Sequence, residues 1–238
     1  MAKMTVDELV SQLKKAFGDG LEAVVLYGSA AAGEHIPKRS DYNVLVIVRE
    51  LGLAELEREA AIARAWGEAG NPPPLTLTAH EWRTSSDIFP MEYADILERH
   101  RVLYGTPPFD GVSVRARDLR LQLEHEAMGK LLALRQGVLA AGGDRKRLVA
   151  LLGGSLSTFM VIFRAVLRYH GESPPQDYER LIDAVTRKTG VAGAPFVRVV
   201  RHVRGSEPLP EREVQEVLAG YLAGAHALVD YLDQLDSI

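Results

Sequence analysis

Two short segments carry residue types that could handle a phosphorylated ligand. Leu26-Tyr27-Gly28-Ser29 ends an apolar run in a glycine and a hydroxyl, and Asp41-Tyr42-Asn43-Val44 opens a second apolar run with a carboxylate and an amide. Glycine after a buried strand lets the backbone turn sharply and approach a ligand closely. Ser29 adds a hydroxyl and a main-chain N–H, and amides gathered at such a turn cradle phosphate oxygens. Strand alternation turns Asp41 and Asn43 to one face, with Tyr42 and Val44 on the other. Oxygen ligands beside a phosphate cradle suit a hard cation such as Mg²⁺ on a nucleoside triphosphate. Such an ion orients the phosphates and offsets charge in an in-line displacement. Lys38 and Arg39, just ahead of Asp41, are further candidates to meet phosphates.

These residues need strands to hold them. Ala23 to Tyr27 and Val44 to Val48 are apolar runs rich in β-branched residues, as buried strands are. Ahead of them Thr5-Val6-Asp7-Glu8 reads as a capping box, with Val6, Leu9, Val10, Leu13 and Phe17 at helical spacing behind it. Residues 53–69 read as a helix ended by Asn71-Pro72-Pro73-Pro74, and Leu75 to Thr78 alternates as a third strand. A helix from Met91 to Arg99 and a short strand at Val102-Leu103-Tyr104 complete the first half. Beyond Gly105-Thr106-Pro107-Pro108 the strand signals stop. Helical periodicity covers about 114–141, 144–170, 176–189 and 211–235, broken at Gly142-Gly143, Ser173-Pro174-Pro175 and Pro208-Leu209-Pro210. Short connections between long helices favour antiparallel neighbours. The expected architecture is α+β: a mixed sheet with flanking helices over residues 1–111, then an all-α up-down helical bundle over 112–238.

The bulk composition excludes several classes. A net charge of −4 argues against holding long nucleic acid by bulk electrostatics. The absence of cysteine rules out disulfides, thiolate metal sites and cysteine nucleophiles. No signal-peptide run opens the chain, and no stretch reads as the ~18 apolar residues that span a bilayer. The expectation is a soluble cytoplasmic protein with no membrane partner, an oligomer remaining open.

The pattern Tyr27-Gly28-Ser29, a gap, then Asp41-Tyr42-Asn43-Val44 resembles the nucleotidyltransferase superfamily, the fold of DNA polymerase beta and the aminoglycoside nucleotidyltransferases. The segment from Asp87 through Tyr104-Gly105 is similar to bacterial two-domain members with a helical C-terminal domain. The resemblance implies Mg²⁺ at Asp41 and Asn43, a nucleoside triphosphate at Gly28, Ser29, Lys38 and Arg39, and catalysis centred on Asp41 and Asn43. It implies transfer of a nucleoside monophosphate to a hydroxyl of a small molecule or protein, with the acceptor held by the helical half. Two positions depart from the family pattern. Asn43 stands where a second carboxylate is usual, and Leu75 to Thr78 offers threonines, not a third carboxylate. Glu81, Asp87 and Glu92 are the alternatives nearby, and the metal is expected to be weakly held. The departures equally suit a nucleotide-binding or protein-interaction module without turnover.

The helical half contributes weaker candidates. Arg164 and His170 are spaced as in HEPN ribonucleases, where Arg would bind the scissile phosphate and His would move protons. Six residues apart on a helix, they point about 120° away from each other. Glu124 or Glu126 would be the acceptor's general base if the helical half works as in two-domain nucleotidyltransferases; a polar helix face explains them equally. His80-Glu81-Trp82 lacks a second His at metalloprotease spacing, and the chain has neither a Walker A lysine nor a Gly-x-Ser-x-Gly elbow.

Overall fold

A computed structural model describes residues 3–31 and 41–235, with the backbone alone at Ser29. It divides into two compact units, 1–114 and 115–238.

The first unit is a four-stranded mixed sheet with helices on both faces. Its elements are α1 (Val6–Phe17), β1 (Leu21–Tyr27), β2 (Asn43–Val48), α2 (Leu53–Glu68), β3 (Leu75–Thr78), α3 (Ala79–Thr84), α4 (Pro90–Glu98) and β4 (His100–Gly105). The strand order is β3-β2-β1-β4. The central strand β1 runs antiparallel to β2 and β4, and β3 runs parallel to β2 after the α2 crossover. Thr5 caps α1 in the predicted capping box: Glu8 N–H donates to its hydroxyl at 3.2 Å, and Thr5 N–H donates to the Glu8 carboxylate at 2.8 Å.

The β1 and β2 runs are apolar throughout because both faces of the sheet are covered. Val24, Leu26, Val44, Val46 and Val48 pack with Leu9, Leu13, Ile62 and Trp66 of α1 and α2. Ala23, Val25, Leu45 and Ile47 pack on the opposite face with Trp82, Tyr93 and Ile96 of α3 and α4. The helix α3 was not read from the sequence, although its own capping box, Thr78 with Glu81, was there to find.

The second unit is all helical: α5 (Ala116–Ala141), α6 (Arg145–Tyr169), α7 (Tyr178–Thr189), α8 (Ala194–Arg204) and α9 (Val214–Asp233). Four of these match the expected segments. The sequence reading missed α8, whose valines resemble a strand by composition. They fold as a helix because Phe196, Val199 and Val200 share one buried face at helical spacing.

The reading of no membrane-length segment is corrected by α6. This helix is long and apolar enough to cross a bilayer by length and composition. Its packing accounts for that hydropathy, since it contacts α5, α7, α8 and α9 and buries Leu148, Leu152, Leu156, Phe159 and Phe163 among them.

Candidate functional site

The end of β1 brings two of the singled-out residues, Gly28 and Asn43, together. Tyr27 lies across from Asn43 on β2 and from His100 on β4. The chain then leaves the strand at Gly28, with φ of +75°, into a short 3-10 turn over Gly28–Ala30. That left-handed backbone favours glycine because a Cβ would crowd the following carbonyl. The turn is closed by Ala31 N–H donating to the Gly28 carbonyl at 3.1 Å.

The Gly28 amide is already committed. It donates to the carbonyl of Arg99, at the junction of α4 and β4, at 3.2 Å. A phosphate cradle at this turn would therefore use the amides of Ser29 and Ala30, and Gly28 contributes its shape. A Cβ at Gly28 would stand 3.5 Å from Asn43 Nδ2 and 3.8 Å from Asp95 Oδ2. An amide and a carboxylate thus converge on the bare side of this glycine.

Asp95 closes the Glu81–Asp95 segment from which the sequence reading looks for a further carboxylate, but the sequence gives it no role of its own. Its Oδ1 accepts from the Arg99 guanidinium at 2.6 Å, one helical turn on, and that guanidinium is largely buried. The only sequence trace of this role is an Asp-x-x-x-Arg pair just ahead of a strand, a spacing common on helix surfaces. Glu81, an earlier alternative, is spent on the α3 cap, and its hydrogen bonds with Thr78 hold its pKa below the usual glutamate value. Tyr27 senses the local negative charge. Burial first, then Asp95 and Glu92, push its phenol up to about 12, so it stays a neutral hydrogen-bond donor.

Asn43 is half-buried as the first residue of β2, whereas Asp41 lies outside the strand, exposed two residues before it, so strand alternation does not set the two on one face as expected. Tyr42 N–H donates to Asn71 Oδ1 at 3.1 Å, which fixes the chain as it enters the strand. Lys38 and Arg39 lie outside the described residues. The third-strand reading needs correcting in its orientation. The register sets Thr76 beside Val46 and Thr78 beside Val48, on the α1/α2 face. Leu75 and Leu77 are paired with Leu45 and Ile47, so apolar side chains occupy the face that Asn43 shares. Among the described residues, no group of three or more His, Asp or Glu side chains could hold a metal.

The helical candidates are separated by their partners. The Arg164 guanidinium lies over the Tyr178 ring, 5.4 Å from its centroid, whereas His170 Nε2 meets the Tyr231 hydroxyl at 2.7 Å. Nothing in this arrangement favours a ribonuclease pair. Glu124 is ion-paired with Arg120 at 2.6 Å, and Glu126 lies 3.6 Å from Lys130. Both are partly buried residues of α5 held in i,i+4 ion pairs along the helix.

No protein family matches the chain, and no curated protein does. Solved structures do. One is the spectinomycin adenyltransferase AAD(9) from Enterococcus faecialis, crystallised with ATP and spectinomycin. It aligns over 97% of this chain and 100% of its own, with a TM-score of 0.58 and 12% sequence identity. This chain therefore shares the fold of that adenyltransferase.

Proposed function

We propose that this protein binds a nucleoside triphosphate with Mg²⁺ at the end of β1 and transfers its nucleoside monophosphate to a hydroxyl of a small molecule. The reading rests on one observation above all: Asn43 and Asp95 converge on the left-handed Gly28 turn. The fold adds support, since the AAD(9) structure of the same fold holds ATP and spectinomycin.

The side chains suit one hard cation. Asp41 offers carboxylate oxygens and Asn43 an amide oxygen, the donor types that Mg²⁺ takes. With no triad among the described residues, the set suits a single ion that keeps several of its ligands from water and phosphate. When bound, Mg²⁺ supplies phosphate orientation and charge stabilisation. The chain's own part is positional. The Ser29 and Ala30 amides of the turn would donate to the phosphates, Gly28 would leave room for them, and Asp41 would supply the charge that Asn43 lacks. The acceptor oxygen then bonds to the α-phosphorus as the bond to the bridging oxygen breaks, releasing pyrophosphate and the hydroxyl proton.

A nucleotide-binding module without turnover is the second reading. Leu75 and Leu77 favour it, because they occupy the β3 face where a third carboxylate would assist catalysis. The test is a thermal-shift titration of wild type and Asp41→Ala with each nucleoside triphosphate, with and without Mg²⁺. A saturating ligand at 100 times its Kd stabilises the native state by about 2.7 kcal/mol. A Mg²⁺-dependent shift that is lost in Asp41→Ala, with pyrophosphate released when hydroxyl acceptors such as spectinomycin are added, supports the transferase. A shift without release supports the second reading, and no shift with any nucleotide refutes both.

A further inference from the structure

The α4–β4 junction does more than close the sheet. Arg99 is tied to the β1 turn by its main chain and to α4 by its side chain. Its carbonyl accepts from Gly28 N–H at 3.2 Å, and its guanidinium donates to Asp95 Oδ1 at 2.6 Å. Its own N–H also donates to the Asp95 carbonyl at 2.9 Å, ending the helix. The second carboxylate oxygen of Asp95 would stand 3.8 Å from a Cβ placed at Gly28. Polar contacts thus link Gly28 to Arg99 and Arg99 to Asp95, whose second carboxylate oxygen faces the bare side of Gly28.

We propose that Asp95 and Arg99 form a clamp that sets the Gly28 turn, with Asp95 acting as a positioning residue for nucleotide phosphates. The nucleotide part rests on the proposed function; the clamp itself does not. Without the ion pair, the Arg99 backbone keeps its strand partner but loses the side-chain anchor to α4. The Gly28 turn then samples other conformations, because a left-handed glycine has little intrinsic reason to hold one. Charge neutralisation by Arg99 also suits Asp95 to holding the turn better than to binding the cation, leaving Asp41 as the main anionic ligand. The clamp is anchored from below by the buried Tyr93 and Ile96 of the same helix. Movement at Asp95 therefore requires movement of α4, which gives the turn a rigid reference.

The test compares wild type with Asp95→Ala and the isosteric Asp95→Asn by amide hydrogen exchange and Mg·ATP titration. The clamp predicts at least roughly tenfold faster exchange at Gly28 in Asp95→Ala, with the amides of Val25 and Val46 unchanged. Supporting groups one layer out from a ligand typically cost 10–100-fold in affinity. Binding of Mg·ATP should accordingly weaken about tenfold, and the effect should fall on KM with kcat within about twofold. Should Asp95→Ala fail to fold, Asp95→Asn gives the same readout with the side-chain volume kept. Unchanged Gly28 exchange in a folded variant overturns the clamp, as does a uniform loss of protection along β1 and β2. If wild type binds no nucleotide, the proposed function fails while the exchange data still decide the clamp.

Discussion

Replacing Gly28 with alanine isolates the backbone from every other feature of the site. The added Cβ would sit 3.5 Å from Asn43 Nδ2 and 3.8 Å from Asp95 Oδ2, ordinary contact distances, so no atom is displaced. The cost is conformational: an alanine held at φ of +75° gives up about 1–2 kcal/mol. In a unit of this size that lowers Tm by roughly 4–8 °C. The methyl also fills the concave side of the turn, so Mg·ATP affinity should fall at least tenfold, more than the strain itself requires. Gly105→Ala is the contrasting case. There the Cβ would meet the Glu22 carbonyl oxygen at 1.9 Å, an overlap that forces β4 away from β1. Thermal denaturation followed by tryptophan fluorescence, with and without Mg·ATP, reads both effects. If Gly28→Ala melts within about 1 °C of wild type and binds Mg·ATP normally, the left-handed turn is not what shapes the site.

Two further substitutions probe the two faces of the sheet. Glu59 on α2 is a buried carboxylate that accepts from the Thr76 hydroxyl at 2.8 and 2.9 Å, and burial raises its pKa. The folded state thus holds the proton more tightly than the unfolded chain does. Its favourable contribution is complete below the ordinary glutamate range and is lost as pH rises through the folded value. Glu59→Gln should therefore be at least as stable as wild type near neutral pH and show a flatter stability profile above about pH 4.3; urea melts across pH check this, and a steeper profile would refute it. On the other face, Trp82 is fully buried, with its ring stacked 4.1 Å from that of Tyr93 and 5.2 Å from that of Phe109. Trp82→Ala should cost about 3–5 kcal/mol in urea denaturation and loosen α4 with it.

The local pattern reached as far as nearest-neighbour physics allows. Two β-branched apolar runs, a capping box at Thr5 and a Gly-Ser step after the first run specify two buried strands, a helix and a turn, because each depends on residues a few positions apart. A single strand pairing, Tyr27 with Asn43, then sets Asn43 beside the Gly28 turn. What the sequence could not supply was the third dimension of that site. Asp95 reaches Gly28 because β4 pairs antiparallel with β1 and returns the end of α4 to the end of that strand. The face of β3 was decided by register: a parallel pairing of Leu75 with Leu45 sends Thr76 to Glu59 and the leucines toward the Asn43 side. A one-residue slip would have reversed them, and period-2 alternation alone does not say which face is which. The valine-rich α8 and the membrane-like α6 show the same limit, since hydropathy records that a segment is buried but not what buries it. The sequence by itself determined the glycine turn and the apolar strand that follows it. Tertiary pairing alone decided which carboxylate completes the site, because side chains far apart along the chain meet only when strand order and register bring them together.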